Sequence, residues 1–164
     1  MASTWLNERE MVAWRAYIDT NGDLLAALER DLVRHDVTLG DYQVLVYLAA
    51  AEDDAMRMCD LAVALQLSPS GLTRRLDGLV RSEHVTRRPS PDDGRVMMAV
   101  LTDAGRELLE RTAPHHVASV RRRIFDHLTT EQVDALAAIF EAISAGLAES
   151  DEATDEESTA SDVA

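Results

Sequence analysis

The sequence predicts a mainly α-helical fold in which one short β-hairpin interrupts a series of six helices. Apolar residues recur every three to four positions over most of the 164 residues, which is the spacing of amphipathic helices. Around residues 85–101 the pattern changes to two short apolar runs separated by Pro and Gly, which is typical of a hairpin. A short helix, a tight turn and a longer helix precede this hairpin. The order predicts a winged helix-turn-helix with a two-stranded β-hairpin wing and a helical dimerisation lobe.

The first two helices carry long apolar stripes. The first spans about residues 8–34 and is expected to bend or break briefly at Asn21-Gly22-Asp23, a turn-forming sequence. Its stripe consists of Met11, Trp14, Ile18, Leu25, Leu28 and Leu32. Thr38 is expected to cap the second helix. The residues of this helix expected to face inward are Leu39, Tyr42, Leu45, Val46 and Ala49.

The next two helices form the predicted helix-turn-helix. The shorter one covers about residues 57–66. Ser68 is then the expected N-cap of a fourth helix, with Pro69 at its first position, where a missing N–H costs nothing. This helix ends near Ser82, and its N-terminal half is the part expected to enter a DNA groove.

The hairpin consists of two predicted strands, residues 85–88 and 96–101, joined by the turn sequence Pro-Ser-Pro-Asp-Asp-Gly. Thr102 is expected to cap a fifth helix that reaches about His127 and contains Pro114, a possible kink.

The sixth helix is expected to open with a capping box formed by Thr129 and Gln132. Its apolar stripe consists of Val133, Leu136, Ile139, Phe140, Ile143 and Leu147. The outer helices carry more apolar surface than one small winged domain can cover. A second subunit is the expected partner, which predicts a homodimer.

A single winged helix-turn-helix domain is therefore predicted for residues 1–148. Within it, residues 38–101 form the DNA-binding lobe, and residues 8–34 and 103–148 form the dimerisation helices. Residues 149–164 contain seven acidic residues, no basic residue and little apolar surface, so they are expected to be a disordered acidic tail.

The charge is unevenly distributed. The net charge of −14 argues at first against a nucleic-acid partner. Residues 68–95, however, contain six arginines and four acidic residues. A locally basic segment therefore lies inside an acidic chain.

The single cysteine, Cys59, cannot form an intramolecular disulfide, so a reducing cytoplasm is the expected location. Its neighbours suggest an inert, partly buried thiol. No apolar run is long enough to span a membrane, and no secretory signal is recognisable.

Three short motifs follow one another along the predicted helices and hairpin. They are Leu61-Ala62 in the third helix, the segment Ser70–Leu79 in the fourth, and Asp93-Gly94-Arg95 followed by Leu101-Thr102 in the wing. Together with the order of the helices, they make residues 8–148 resemble the MarR (multiple antibiotic resistance regulator) family. The resemblance implies a homodimeric, ligand-responsive transcription regulator, often a repressor, that binds pseudo-palindromic double-stranded DNA. The reactive cysteine that the family's hydroperoxide sensors carry in the first helix is missing here.

The candidate DNA contacts are hydroxyl and arginine side chains of the fourth helix and of the hairpin, since these groups bind phosphates and base edges. They are Ser68, Ser70, Thr73, Arg74, Arg75, Arg87, Arg88, Asp93 and Arg95. Arg95 is expected to enter a minor groove, and Asp93 is expected to orient its guanidinium or to hold the turn. The alternative for this pair is an ordinary salt bridge within the turn. Only one of Arg87 and Arg88 is expected to face DNA, because strand residues alternate. The alternative is that these arginines form an ordinary solvated surface.

Candidate effector contacts are aromatic residues and one arginine of the first two helices: Trp14, Arg15, Tyr17, Tyr42 and Tyr47. The resemblance implies small anionic or phenolic ligands between the DNA-binding and dimerisation lobes. Arg15 would then pair with a carboxylate, and the aromatic rings would stack on the ligand. The alternative for Trp14 is an ordinary core residue.

No catalytic motif, cofactor site or metal-ligand spacing is present in the sequence, so no enzyme activity, cofactor or metal site is predicted. His115 and His116 are adjacent on a helix and point about 100° apart, which prevents them from sharing one metal ion. The alternative function is a winged-helix protein-interaction module without significant DNA affinity, which the acidic net charge favours.

Overall fold

The computed structural model describes residues 5–161, with the side chains of residues 5–148. The helices and strands follow one another as α1 Glu8–Val33, α2 Leu39–Ala50, β1 Ala55–Arg57, α3 Met58–Ala64, α4 Pro69–Arg81, β2 Val85–Pro89, β3 Met97–Leu101, α5 Asp103–Arg123 and α6 Thr130–Ser161. Short 3-10 turns lie at Glu52–Asp54 and Phe125–His127. The chain divides into two compact units between Val120 and Arg121. The mainly helical winged helix-turn-helix fold is confirmed.

The predicted helix starts are confirmed by their hydrogen bonds. At each start, a hydroxyl oxygen accepts from the backbone N–H three residues further on, which satisfies a donor that the helix itself leaves open. The donors are Asp41 for Thr38, Gly71 for Ser68, Gly105 for Thr102 and Gln132 for Thr129, at 3.0–3.3 Å. The backbone N–H of Thr129 in turn donates to the Gln132 side chain at 2.9 Å, which completes the predicted capping box.

The expected interruption of the first helix is wrong. α1 runs unbroken through Asn21-Gly22-Asp23. Gly22 lies on an exposed stretch with open space around it, and one glycine costs a helix interior only about 1 kcal/mol. A capping box between Asn7 and Glu10 stabilises the start of the helix, and the packing of Leu28 and Leu32 stabilises its end.

The fifth helix is shorter than predicted. α5 ends at Arg123, and the segment Phe125–His127 forms a separate 3-10 turn. Pro114 lies inside α5, as the sequence indicated.

A third strand, β1, was missed by the sequence analysis. It is only three residues long and pairs antiparallel with β3, which also pairs with β2, so the sheet order is β1-β3-β2. Three residues are too few for an alternating pattern to be recognised. The sheet therefore extends the two-stranded hairpin by one edge strand that leads directly into α3.

The core of the first unit lies among α2, α3, α4, the sheet and the C-terminal end of α1. Its most completely buried large side chains are Leu32, Leu45, Leu48, Leu61, Leu72 and Leu76. In α2, Val44 is buried and Val46 is exposed, so the inward orientation expected for Val46 is wrong. Tyr42 and Leu45 are buried as expected, and the buried face of α2 extends from them toward Val44 and Leu48, away from Val46.

One close backbone contact joins α5 to the end of α4. Thr102 donates from its backbone N–H to the carbonyl of His84 at 3.1 Å and from its hydroxyl to the carbonyl of Glu83 at 2.6 Å. A side chain at Gly105 would collide with the same His84 carbonyl. Glycine is therefore required at Gly105 for α5 to start against the hairpin.

Large apolar side chains on two helices remain exposed in the single chain. In α1 they are Val12, Trp14, Tyr17, Ile18, Leu25 and Val33, and in α6 they are Ile139, Phe140, Ile143 and Leu147. The sequence grouped Trp14, Ile18 and Leu25 with Leu28 and Leu32 as one inward stripe, but only the last two are buried. The first half of α1 and the stripe of α6 therefore present apolar faces that lack a partner within their own unit.

The C-terminal helix is longer than predicted. α6 continues to Ser161, so the backbone of residues 149–161 is helical where the sequence analysis expected disorder. The segment continues directly from α6, so it needs no new helix nucleus, and its four glutamates have high helix propensity. Residues 162–164 lie outside the described residues. Within the described part of the chain, no helix is long and apolar enough to cross a membrane.

Candidate nucleic-acid interface

The helix α4 separates an apolar face from a polar one. Leu72, Leu76 and Leu79 are buried in the core, whereas Thr73 and Arg74 are exposed. The spacing of the leucines by four and three residues produces this division, since residues three or four apart lie on the same side of a helix. The exposed face is therefore polar along the half of α4 that follows its N-cap.

The N-terminal end of α4 concentrates hydroxyl groups. The hydroxyls of Ser68 and Ser70 lie 3.2 Å apart, and the Thr73 hydroxyl donates to the carbonyl of Pro69 at 2.9 Å. All three side chains are exposed. Together these hydroxyl groups form a surface suited to phosphate oxygens.

Arg74 and Arg75 point to different sides of α4. Arg74 is exposed, and no hydrogen bond or ion pair of its side chain occurs within the described residues. The guanidinium of Arg75 instead lies over Gly40, 3.5 Å from the Thr38 hydroxyl and 3.8 Å from the Asp41 carboxylate. Of the two, Arg74 is the side chain available to a ligand, whereas Arg75 joins α4 to the start of α2.

Arg87 is held against α4. One of its terminal nitrogens donates to both the Thr73 carbonyl and the Asp77 carboxylate, each at 2.9 Å. Its Nε is buried without a hydrogen-bond partner. Arg88, the next residue, is exposed on the other face of the sheet. The predicted alternation between these two arginines is therefore present, and Arg87 fixes the hairpin to the helix-turn-helix.

Arg95 lies at the tip of the hairpin in a fixed geometry. Its Nε and one terminal nitrogen donate to the two carboxylate oxygens of Asp93 at 3.1 and 3.2 Å, and its backbone N–H donates to the same carboxylate at 3.0 Å. The side chain remains 90% exposed. The hydrogen bonds from Arg95 hold the pKa of Asp93 below its usual value. Asp93 is thus ionised at neutral pH and orients a guanidinium that projects into solvent, the arrangement that the sequence predicted.

The five candidate effector residues are not gathered at one place. Trp14 and Tyr17 are neighbours on the exposed half of α1, with ring centroids 6.0 Å apart, and Arg15 is exposed beside them. Tyr47 is exposed on α2. Tyr42 belongs to the core and contacts the His116 ring, with a centroid distance of 4.5 Å.

A polar cluster between α1, α2 and α5 escaped the sequence analysis. The rings of His35 and His115 stack with centroids 4.1 Å apart, and the buried Thr112 hydroxyl and His116 Nδ1 have no hydrogen-bond partner. Burial raises the pKa of Tyr42 and lowers that of His116. Only the folded chain brings these residues together, because they come from the turn after α1, from α2 and from α5.

Cys59 is exposed, so the prediction of a partly buried thiol is wrong. Its Sγ donates to the Asp60 carboxylate at 3.3 Å. Within the described residues, no group of three or more His, Cys, Asp or Glu side chains is arranged to hold a metal ion.

Comparison with known proteins identifies the family. Residues 35–96 match the sequence model of the MarR family. AbsC, a MarR family transcriptional regulator from Streptomyces coelicolor, is 39% identical, and the match covers 88% of this chain and 98% of AbsC with a TM-score of 0.84. The chain belongs to the MarR family. The predicted resemblance is confirmed.

Two further relatives agree with this assignment to the MarR family. Sco3205, another MarR family regulator from Streptomyces coelicolor, is 38% identical over 87% of this chain and 94% of its own, with a TM-score of 0.83. The uncharacterized HTH-type transcriptional regulator YhbI of Bacillus subtilis (strain 168) is 29% identical over 79% of this chain and 85% of YhbI. These relatives are transcription regulators rather than enzymes.

Proposed function

We propose that this MarR family member is a homodimeric, sequence-specific DNA-binding repressor that a small aromatic or anionic ligand releases from its operator. In this proposal, α4 enters a major groove and the hairpin tip enters the adjacent minor groove. The main support is the pairing of two exposed arginines: Arg74 on the polar face of α4 and Arg95, which Asp93 orients at the hairpin tip. Sco3205, which is 38% identical, was crystallised in complex with DNA.

Arg74 and Arg95 have different roles in DNA recognition. Arg74 lies in the part of α4 that faces base edges, where a bidentate guanidinium selects guanine. Arg95 contacts the adjacent minor groove. There, the electrostatic potential and the width of the groove attract an arginine more than base identity does. Ser68, Ser70 and Thr73 supply phosphate contacts that set the position of the helix on the duplex.

Dimerisation is supported by the exposed apolar side chains of α1 and α6. Ile139, Phe140, Ile143 and Leu147 each expose 49–62% of their surface, which is unusual for large apolar residues repeated along one helix. A two-fold dimer buries the same patch of both subunits at once. It also places two copies of α4 about 34–36 Å apart, one turn of duplex.

Repression would result from steric exclusion, because a dimer bound across two half-sites prevents other proteins from binding the same DNA. The acidic net charge of −14 is the observation that favours the alternative, an interaction module without DNA affinity. Local charge supports DNA binding, since counterion release depends on the arginines that contact phosphates.

Selection of bound sequences from random duplex DNA, using the full chain, tests the proposal directly. We expect a pseudo-palindrome whose half-sites are centred about 10–10.5 base pairs apart. Binding should weaken steeply with salt, as expected when several phosphates are neutralised. Recovery of no sequence above background, together with an unchanged mobility of duplex DNA at low salt, would support the interaction module instead.

The effector part of the proposal rests on Trp14, Arg15 and Tyr17. Two neighbouring aromatic rings suit stacking on a planar ligand, and an exposed guanidinium on the same helix, about 100° around it from Trp14, suits pairing with a carboxylate. We expect benzoate, a simple aromatic carboxylate, to lower operator affinity by a factor of about 5–150, the usual range of allosteric coupling. Trp14→Ala and Arg15→Ala should each weaken this response, and Arg30→Ala, which removes an exposed arginine near the other end of α1, serves as the control. If both variants respond to benzoate like the wild type, the effector binds elsewhere.

A further inference from the structure

The three-stranded sheet has two faces with different surroundings. Opposed residues of antiparallel strands point to the same face. On the inner face, Val85, Ala99 and Leu101 are buried in the core, and Arg87 binds α4. The outer face contains Arg57, Arg88 and Met98, and it is the face away from α4.

Arg57, Met98 and Arg88 form one row across the outer face. Arg57 of β1 pairs in register with Met98 of β3, and Met98 pairs in register with Arg88 of β2. Neighbouring strands lie about 4.8 Å apart, so the backbones of the two arginines are separated by about 10 Å. Although Arg57 and Arg88 are far apart in the sequence, the fold makes them a pair at the end of the sheet nearest the hairpin tip.

The end of the outer face that carries this row is open to solvent. Arg57 and Arg88 are both exposed, and neither forms an ion pair within the described residues. At the other end of the same face, Val100 is buried. The two arginine side chains therefore extend into solvent from neighbouring positions of the same face.

Nearby acidic side chains have other partners. The Asp93 carboxylate binds Arg95, and the Asp60 carboxylate accepts from Cys59. The pKa of Asp93 is lowered first by its hydrogen bonds to Arg95 and, to a smaller extent, by the positive charge of Arg57. Arg57 is thus within electrostatic range of the hairpin tip, and the row on the outer face contains two arginines and no acidic side chain.

We propose that Arg57, together with Arg88, binds backbone phosphates of the DNA strand that borders the minor groove on the side away from α4. The inference rests on the proposed function. With α4 in the major groove and the hairpin tip in the adjacent minor groove, the strand between these two grooves passes on the α4 side of the hairpin. The second strand of the minor groove passes the outer face, where Arg57 and Arg88 are exposed. Phosphates are the expected ligands, because they present negative charge along the strand at every base pair.

The test compares Arg57→Gln, Arg57→Lys and Arg81→Gln in the full chain. Arg81 is the matched control: it is exposed and belongs to the same part of the fold, but it lies at the C-terminal end of α4, about 18 Å from its first residue. Affinities for the selected operator and for an unrelated duplex are measured over a series of salt concentrations. Thermal unfolding of each variant is recorded alongside, and no change is expected for an exposed arginine without an ion pair.

Arg57→Gln is expected to weaken binding to both duplexes by a similar factor, since a phosphate contact does not depend on sequence. A dimer loses two contacts, so the slope of log K against log [salt] should become shallower by about 1.8. The affinity loss should then be about tenfold larger at about 50 mM salt than at about 200 mM salt. Arg57→Lys should recover most of the slope, and Arg81→Gln should behave like the wild type.

Two results would overturn the inference while leaving the proposed function intact: wild-type operator binding with an unchanged salt slope in Arg57→Gln, or an Arg57→Lys variant as weak as Arg57→Gln. A wild-type chain that binds neither duplex at low salt would overturn the proposed function and this inference with it. A loss confined to the operator, with unrelated DNA bound normally, would assign Arg57 to base recognition and also contradict a phosphate contact.

Discussion

Replacing Ile139 and Ile143 together by glutamate is expected to give a folded monomer whose operator affinity is about 10²–10⁴-fold lower than that of the wild type. The two isoleucines are 55% and 52% exposed in the single chain and lie on the same side of α6. Two carboxylates placed in an apolar interface lose the burial of both isoleucines and add a desolvation penalty for each charge. The loss of affinity follows because a monomer binds one half-site and no longer gains from bivalent binding.

The measurement is sedimentation equilibrium together with an operator titration at fixed salt. Ala138→Glu combined with Ala145→Glu is the matched control, since both alanines are exposed and lie on the other side of α6. It adds the same charge to the same helix, so any nonspecific repulsion of DNA affects both double variants equally. A dimeric Ile139→Glu, Ile143→Glu chain with normal affinity would show that this face is not the subunit interface.

Arg74→Ala is expected to remove base discrimination at one symmetric pair of operator positions, whereas Arg95→Ala weakens binding to all duplexes. A bidentate arginine contact to guanine discriminates by about 1–3 kcal/mol, and both subunits carry the change, so the loss over a symmetric operator is about 2–6 kcal/mol. Arg95, which is 90% exposed at the hairpin tip, responds to the potential of the groove instead. Its removal should flatten the salt dependence without changing the order of preferred sequences.

A panel of single-base-pair operator variants, titrated at several salt concentrations, separates these two effects. Arg75→Ala is the informative control for Arg74, because it removes an adjacent arginine whose guanidinium lies against Thr38 and Asp41. We expect it to leave base preference unchanged and to alter stability by about 1 kcal/mol or less. If Arg74→Ala retains the full preference at every position, α4 is not the element that reads bases through this residue.

Features that depend on local interactions could be predicted from the sequence. The hydroxyl caps at Thr38, Ser68, Thr102 and Thr129 were recognisable because each involves a donor only three residues away. The polar face of α4 followed from the spacing of its leucines. The forked contact between Asp93 and Arg95 was also accessible, since both residues belong to one turn.

Features that depend on contacts between distant parts of the chain could not be predicted from the sequence. β1 has three residues and no periodicity of its own, so only its hydrogen bonds to β3 define it as a strand. Arg74 and Arg75 are adjacent on one helix, and the sequence does not distinguish which of them is available to a ligand. The position of α2 places the Asp41 carboxylate beside Arg75, so the Arg75 guanidinium already has a partner within the chain.

By itself, then, the sequence determined the order of the helices, the hairpin, the family motifs and the turn that carries Arg95, because helix periodicity, capping and turns are settled among residues a few positions apart. Only the tertiary structure decided which apolar residues of α1 are buried, where Arg87 binds, and that Arg57 lies in one row with Arg88. These outcomes depend on side chains brought together from separate elements. Their burial and hydrogen bonds arise only when the elements pack.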